Sequence, residues 1–85
     1  MCTFKTYILW SESLQKFYAG STKDLDQRLL RHNSGRVRYT SKGVPWRLIW
    51  SQNGIDRKEV VNLEMKIKSR GIKRFLEDKN IKFGT

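Results

Sequence analysis

Two phenols, a guanidinium, an imidazole and a carboxylate occur where a small fold could gather them at one place. They belong to Tyr7, Tyr18, Arg28, His32 and Glu64. Phenols and imidazoles exchange protons, a guanidinium donates paired hydrogen bonds to oxyanions, and a carboxylate can hold a divalent cation. The same side chains could instead fill and border a core, so the elements that carry them decide between a site and a core.

The order of these elements follows from hydrophobic patterns and turn signals. Residues 3–10 and 16–20 are rich in aromatic and β-branched side chains, which predicts two strands joined as a hairpin. A helix is predicted next, because Ser21 and Asp24 resemble a capping box and Gly35 is typical of a left-handed cap after the last turn. The remaining predictions are a loop at 36–45, a strand at 46–52, a helix from Asp56 to Ser69 or Arg70, an interruption at Gly71 and a short helix at 72–79.

The predicted fold class is α+β, with a small three-stranded antiparallel sheet flanked by helices in the order ββαβαα. A chain of 85 residues predicts a single domain over residues 1–85. Cys2 is the only cysteine of the sequence, so no internal disulfide can form and a Cys-rich zinc site is excluded. No apolar run approaches the roughly 20 residues of a membrane span, and we expect a cytoplasmic protein with no membrane partner and a monomer as the default state.

The charge of the chain indicates the class of partner. The sequence has 18 basic and 8 acidic side chains and a net charge of +10. A small, strongly basic, aromatic-rich domain favours the phosphate backbone of a nucleic acid as its partner. A basic surface that is only solvated is the alternative.

On the first predicted helix, an arginine and the only histidine lie beside the apolar stripe. At about 100° per residue, Leu25 and Leu29 share one face, and Arg28 and His32 each follow one of these leucines by three residues. Arg28 and His32 are four residues apart and should stack on one side of that face. A structural role is open for each of them, since an arginine stem can cover a core edge and a histidine can be satisfied inside a core.

On the second predicted helix, a carboxylate lies within the apolar stripe of Val60, Leu63 and Ile67. Glu64 comes four residues after the first of these and three before the last. A carboxylate there loses solvation unless it is paired, protonated or bound to a metal. The structural alternative is a salt bridge to Arg28 or to a lysine.

The two strand tyrosines have the same ambiguity. Tyr7 and Tyr18, taken singly, are consistent with core aromatics. If their strands pair, the two hydroxyls converge, and buried phenols need partners such as the polar residues of the helices. Gly20 lies at the strand-to-helix junction, where it either relieves a tight turn or lets a phosphate approach closely.

In combination, these residues resemble the GIY-YIG nuclease domain, in particular its small stand-alone members and the N-terminal domain of the bacterial excision-repair C subunit. The first motif is present as Lys5-Thr6-Tyr7 and the second as Tyr18-Ala19-Gly20, so both tyrosines and the glycine are kept. The similarity continues through the strand Pro45-Trp46-Arg47-Leu48 and the helix at 63–69, to about Leu76.

The resemblance implies an endonuclease that hydrolyses phosphodiester bonds in nucleic acid, with DNA as the expected substrate and repair or recombination as the expected setting. It implies that Glu64 binds one divalent ion, Mg²⁺ or Mn²⁺, and that Arg28 is the catalytic arginine. Tyr7 and Tyr18 match the active-site tyrosines, with Tyr7 expected to activate water as a phenolate. His32 matches a polar active-site position. Tyr18 and His32 are expected to orient the water and the phosphate, and His32 is also a candidate proton relay.

A nuclease also needs cations that position the nucleic-acid backbone, and such contacts do not read sequence. The candidates for these contacts are Lys16, Lys23, Arg31, Arg36, Arg38 and Lys42, with Gly20 allowing close approach. Two other functions stay open. A non-catalytic nucleic-acid-binding module on a nuclease scaffold would bind without Mg²⁺-dependent cleavage, and a protein-interaction domain would show no salt-dependent DNA binding.

Overall fold

A computed structural model of the protein describes residues 4–35 and 41–81. Its elements, in chain order, are β1 Phe4–Ser11, β2 Lys16–Thr22, α1 Leu25–Asn33, a short 3-10 helix Ser41–Gly43, β3 Trp46–Gly54, α2 Arg57–Arg70 and α3 Ile72–Asp78. The predicted α+β fold and the ββαβαα order are confirmed. The strands continue one or two residues beyond their predicted ends, and part of the predicted loop at 36–45 is the 3-10 helix.

β1 lies at the centre of the antiparallel sheet, whose order is β2-β1-β3. In the β1–β2 ladder, Tyr7 is opposite Gly20 and Leu9 is opposite Tyr18. Because side chains alternate between the two faces of a sheet, both tyrosines lie on the same face. β3 pairs with the other side of β1 with a register shift between Ile8 and Leu9, which leaves β2 as an edge strand among the described residues.

The two faces of the sheet pack against different helices. On one face, β1, β2, α2 and α3 contribute the buried core residues Ile8, Ala19, Ile67 and Leu76. On the other face, the buried core residues are Tyr7, Leu9 and Trp46, and the α1 residues Leu25 and Leu29 pack against them. The sheet therefore lies between α1 on one side and the α2–α3 pair on the other.

The N-terminal cap of α1 differs from the prediction. Asp24 is the cap, and its Oδ1 accepts the backbone N–H of Gln27 at 3.1 Å, while the Thr22 hydroxyl accepts the N–H of Asp24 at 3.1 Å. The predicted capping residue, Ser21, belongs instead to β2, because the ladder with β1 extends to Thr22. The left-handed cap after α1 is confirmed, since Gly35 has a φ of 77°.

α2 is fixed to the central strand by a buried hydrogen bond. The Thr6 hydroxyl donates to the carbonyl oxygen of Val60 at 2.8 Å. At its start, α2 is capped by Asp56, whose Oδ1 accepts the N–H of Glu59 at 2.8 Å. These contacts set the position of the helix turn that follows Val60 and carries Glu64. None of the helices within 4–35 and 41–81 is long and apolar enough to cross a membrane.

Candidate active site

The centre of the site is a contact between a phenol and an imidazole. The Tyr7 hydroxyl lies 3.2 Å from Nε2 of His32, and each residue is 1% exposed. β1 carries Tyr7 in the middle of the sheet, and the last turn of α1 carries His32. A buried phenol needs a hydrogen-bond partner, and the fold provides it in the only histidine of the sequence.

Gly20 leaves the space that the Tyr7 ring fills on the neighbouring strand. A Cβ at Gly20 would lie 2.6 Å from the Tyr7 hydroxyl oxygen, 2.8 Å from its Cζ and 3.2 Å from Cε1 of Tyr18. Any larger residue would therefore displace the phenol from its position against the imidazole. The structure gives Gly20 a packing role, and its predicted contact with a phosphate stays a prediction.

Tyr18 of β2 packs against the imidazole, and Trp46 of β3 packs against Tyr18. The ring of Tyr18 meets that of His32 edge to face, with the centroids 4.9 Å apart, and lies 6.2 Å from that of Trp46. Trp46 is in turn joined to the end of α1, because the Asn33 side chain accepts its backbone N–H and donates to its carbonyl oxygen at 3.0 Å. This pair of hydrogen bonds fixes the last turn of α1 against the start of β3, and with it the position of His32.

A basic cleft of about 880 Å³ opens beside this aromatic group. Its lining residues come from β2, α1 and the segments next to them, and are Tyr18, Thr22, Lys23, Asp24, Gln27, Arg28, Leu30, Arg31, His32 and Ser34. Lys23, Arg28 and Arg31 give the lining three cations against the single carboxylate of Asp24. A cleft with that balance favours an anionic ligand.

Burial determines the protonation of the phenol. Burial, followed by the electrostatic interaction with the Tyr18 phenol, raises the pKa of Tyr7 to about 12. Arg28 lowers this pKa, and Glu64 raises it. At neutral pH Tyr7 therefore carries its proton. The phenolate expected from the sequence is not the resting state of this residue.

The pKa of the imidazole is lowered, in contrast to that of the phenol. Burial, then the nearby cations Arg28 and Arg31, lower the pKa of His32 below its usual value of 6.5. At neutral pH the imidazole is uncharged, and one of its nitrogens is available as an acceptor. In the tautomer protonated at Nδ1, the Tyr7 hydroxyl donates to Nε2 of His32.

Glu64 approaches from the α2 side, which lies across the sheet from α1. Its carboxylate oxygen is 2.7 Å from Nζ of Lys68, one helical turn further on. The salt bridge to a lysine that the sequence left open is therefore formed. The carboxylate also raises the pKa of Tyr7, so Glu64 lies near enough to influence the phenol.

The residues around Glu64 fit one hydrated ion rather than an enclosed metal centre. In the described parts of the chain, no group of three or more His, Cys, Asp or Glu side chains could hold a metal. Mg²⁺ is commonly held by one or two carboxylates while it keeps several waters and binds the phosphates of a substrate. Glu64 is a partly exposed carboxylate with one oxygen paired to Lys68, and its role as a metal ligand stays a prediction.

The predicted backbone-binding cations fall at different places. Lys23 and Arg31 line the cleft, and Lys16 lies at the start of β2 beside a second groove. Lys42 belongs to the 3-10 helix, where its carbonyl oxygen accepts the Ser13 hydroxyl at 3.5 Å, and does not line the cleft. The other two predicted cations, Arg36 and Arg38, lie outside the described residues.

Two contributors to the site were not identified from the sequence. Asn33 has no role assigned from the sequence, although its side chain joins α1 to β3. Lys68 could have been found from its spacing, because a lysine four residues after a glutamate is typical of an intrahelical ion pair. For Asn33 no local signal exists, since its partner Trp46 is distant in sequence.

Comparison with known proteins agrees with this geometry. A family model described as the GIY-YIG catalytic domain matches residues 4–75. The chain belongs to the GIY-YIG family. This family is a nuclease superfamily, and the match includes the tyrosines, Arg28, His32 and Glu64.

Small GIY-YIG-type proteins are similar to this chain over most of their length. A UPF0213 protein of Lacticaseibacillus paracasei is 32% identical over 71 residues, which cover 79% of this chain and 80% of that protein. A UPF0213 protein of Lactococcus lactis subsp. cremoris is 33% identical over 75 residues, or 87% of this chain and 76% of that protein. The solution NMR structure of a UPF0213 protein from Bacillus halodurans superimposes with a TM-score of 0.57 at 25% identity, covering 92% of this chain and 83% of that one.

Proposed function

We propose that this GIY-YIG protein is a divalent-metal-dependent endonuclease that hydrolyses phosphodiester bonds in nucleic acid, with DNA as the substrate. The proposal rests mainly on one observation, the buried Tyr7–His32 pair at the side of a basic cleft. A core that needed only apolar filling would not place an uncharged imidazole against a phenol there. The expected roles in repair or recombination belong to the same proposal.

The pair supplies a path for the proton of the attacking water. The high pKa of Tyr7, about 12, makes a free phenolate costly at neutral pH. If the Tyr7 hydroxyl oxygen takes a proton from water while it passes its own proton to Nε2 of His32, no free phenolate forms. The water oxygen then bonds to phosphorus, and the bond from phosphorus to the 3′ oxygen breaks with its electron pair on that oxygen. The 3′ oxygen takes a proton from solvent to become a hydroxyl, and His32 returns its proton to solvent.

Arg28 would bind the phosphate on which this chemistry occurs. It is half-buried in the cleft lining and close enough to influence the pKa values of both Tyr7 and His32. Its planar donors suit the non-bridging phosphate oxygens, where negative charge increases in the transition state. Tyr18, against the face of the imidazole, would keep His32 oriented toward the phenol.

Glu64 is the residue that would hold the divalent ion. When bound, such an ion supplies Lewis-acid stabilisation of negative charge on the phosphate oxygens. The carboxylate must first leave Lys68, with which it forms an ion pair at 2.7 Å.

The experiment that tests the proposal compares two glutamates of the same helix. Glu64→Gln should lower the rate of Mg²⁺-dependent cleavage of plasmid and branched DNA by at least about 100-fold. Glu59→Gln is the matched control, because Glu59 is exposed in the first turn of α2 and should cleave like the wild type. Cleavage by Glu64→Gln at the wild-type rate would contradict the metal role.

A nucleic-acid-binding module without catalysis is the second candidate. The Glu64–Lys68 ion pair favours it, because the ammonium group already neutralises the carboxylate. A Mg²⁺ or Mn²⁺ titration with a cleavage assay separates the two functions. Salt-dependent binding with no cleavage at any concentration of either ion would establish the module in place of the nuclease.

A further inference from the structure

A second basic groove follows the outer edge of β2. Lys16 of β2, Lys68 of α2 and Lys73 of α3 line it, and the half-buried side chains of Phe17 and Ile72 form its floor. All three lysines are exposed. The cations of this groove therefore come from three different elements of the fold and not from one face of a single helix.

Shared lining residues relate the edge groove to the basic cleft, with Tyr18 at the boundary. A neighbouring depression of about 380 Å³ is lined by Phe17, Tyr18, Ala19, Lys68 and Ile72, and Tyr18 also lines the cleft that contains Arg28. A chain lying in the cleft thus has a direct route past Tyr18 onto the edge of β2. The depression is the surface of the edge strand itself, since β2 pairs only with β1 among the described residues.

We propose that the phosphodiester backbone of a nucleic-acid strand lies along this edge and is bound by Lys16, Lys68 and Lys73. The inference rests on the proposed function, because it defines the path of the strand beyond the phosphate held at Arg28. Lysines bind backbone phosphates as point charges without reading sequence. A basic groove with aromatic and apolar floor residues is also the form that accepts single strands.

Lys68 connects this groove to the carboxylate of the site. Its Nζ lies 2.7 Å from Glu64, and its side chain is 52% exposed. A phosphate in the groove would compete with Glu64 for the same ammonium group. Binding of the strand would therefore release the carboxylate at the moment when a metal ion and a phosphate arrive together.

Lysines at the edge of a sheet have a second known role, and the test must separate that role from phosphate binding. Charged side chains at a sheet edge prevent edge-to-edge pairing between copies of a protein. A glutamate protects an edge as well as a lysine does, but it repels phosphate. Charge reversal therefore retains the protective role and removes the proposed binding.

The test uses the double variant Lys16→Glu, Lys73→Glu, which leaves the Lys68–Glu64 pair intact. Binding of a fluorescein-labelled single strand of DNA, and of the matching RNA, is measured by anisotropy with EDTA over a series of salt concentrations. Each lost phosphate contact lowers the slope of log K against log salt by about 0.7 for a single strand, so the expected decrease is about 1.4. The arm with the larger decrease identifies the nucleic acid that occupies the groove.

A matched control carries the same change in net charge away from the groove. Lys58→Glu, Lys66→Glu changes two exposed lysines of α2 that do not line the edge groove, and Lys66 lies about 200° around the helix from Lys68. The control should retain a slope close to that of the wild type. Equal decreases in both variants, or no decrease in the first, would overturn the proposed path.

A cleavage assay on the wild type separates this inference from the proposed function. If the wild type binds but never cleaves, while only the groove variant loses slope, the path is supported and the nuclease proposal fails. If the wild type cleaves and the groove variant binds like the control, the nuclease proposal is supported and the path fails. A wild type that binds neither DNA nor RNA overturns both.

Discussion

The α1 side and the α2 side of the candidate site differ in their access to water. On the α1 side, Tyr7 and His32 are almost fully buried. On the α2 side, the side chains of Glu64 and Lys68 are 20% and 52% exposed. The comparison suggests that the two sides have different roles. The buried α1 side with Tyr7 and His32, called the dry side below, would control the position of a proton. The more exposed α2 side with Glu64 and Lys68, called the wet side below, would exchange one charged ligand for another.

The fold explains this difference. Tyr7 lies on the central strand beneath α1, where Leu25 and Leu29 pack against its core cluster and Tyr7 is 1% exposed. Glu64 lies on a helix that covers the edge strand, and its neighbours along that edge are exposed lysines. In the proposed reaction, the proton transfer needs fixed distances, whereas the metal ion and the strand must enter and leave.

The largest effect is expected from removing the hydroxyl of Tyr7. Tyr7→Phe keeps the ring but takes away the atom that lies 3.2 Å from Nε2 of His32. General acid–base catalysis contributes about 10²- to 10⁴-fold, and we expect cleavage to fall by that amount with little change in nucleic-acid binding. Single-turnover cleavage and anisotropy measure the two quantities.

The matched variant on the wet side is Glu64→Gln, which should lose Mn²⁺ binding as well as cleavage. Tyr7→Phe should bind Mn²⁺ like the wild type, as measured by electron paramagnetic resonance of free Mn²⁺. If both variants lose the metal equally, the proposed division between the two sides is wrong.

A smaller effect is expected when the phenol is displaced rather than removed. In Gly20→Ala, the new Cβ would lie 2.6 Å from the Tyr7 hydroxyl oxygen, and overpacking of this kind costs about 1–3 kcal/mol. We expect a lower midpoint of urea unfolding together with a cleavage rate reduced about tenfold, since small misplacements of catalytic groups are costly.

Gly54→Ala provides the control for that clash. Its Cβ would lie 2.6 Å from Cγ1 of Val60, so it should destabilise the fold to a similar degree without touching the phenol. A Gly54→Ala variant with the same loss of cleavage as Gly20→Ala would show that the loss does not require displacement of the phenol.

The dry side also predicts how stability depends on pH. Because the folded pKa of His32 is lowered from 6.5, the unfolded chain binds more protons between the lowered value and 6.5. The free energy of unfolding should therefore decrease as the pH falls through this window and be insensitive to His32 above it. Urea unfolding from about pH 8 down to about pH 5 measures the decrease.

His32→Gln removes the titrating group and should make that pH dependence shallower. In the wild type, the cleavage rate should decline over the same window, because a protonated imidazole no longer accepts from the phenol. An identical acid limb in the variant would assign the pH dependence to another group.

The fold was predictable because its signals are local. The aromatic and β-branched runs and Gly35 and Gly71 identified each element, and the leucine pair of α1 identified the buried face of that helix. The cap of α1 was wrong by three residues, since a capping pattern at Ser21 cannot reveal that the β1–β2 ladder extends to Thr22. At Ser21, the pairing of β1 with β2 overrides the local preference for a helix cap.

The sequence indicated which polar side chains lie close together, but it did not indicate their protonation states. Helical spacing placed Arg28, His32 and Glu64 beside the apolar stripes, yet it could not show that burial raises the pKa of Tyr7. That property depends on how completely α1 covers the sheet. The hydrogen bonds from Asn33 to Trp46 and the groove at Lys68 were missed for the same reason, because each joins elements that are distant in sequence.

The smallest effect is expected from the proposed replacement of Lys68 by a metal ion at the Glu64 carboxylate. Lys68→Gln removes the ammonium group that lies 2.7 Å from Glu64, and exposed ion pairs are worth little. We expect Mn²⁺ affinity in the absence of nucleic acid to rise by only about two- to fivefold, because the ion no longer displaces a competing cation. Lys66→Gln, on another side of the same helix, should leave the affinity unchanged. If Lys68→Gln instead weakened Mn²⁺ binding, Lys68 would orient the carboxylate for the ion rather than compete with it, and the two sides of the site would both be preorganised.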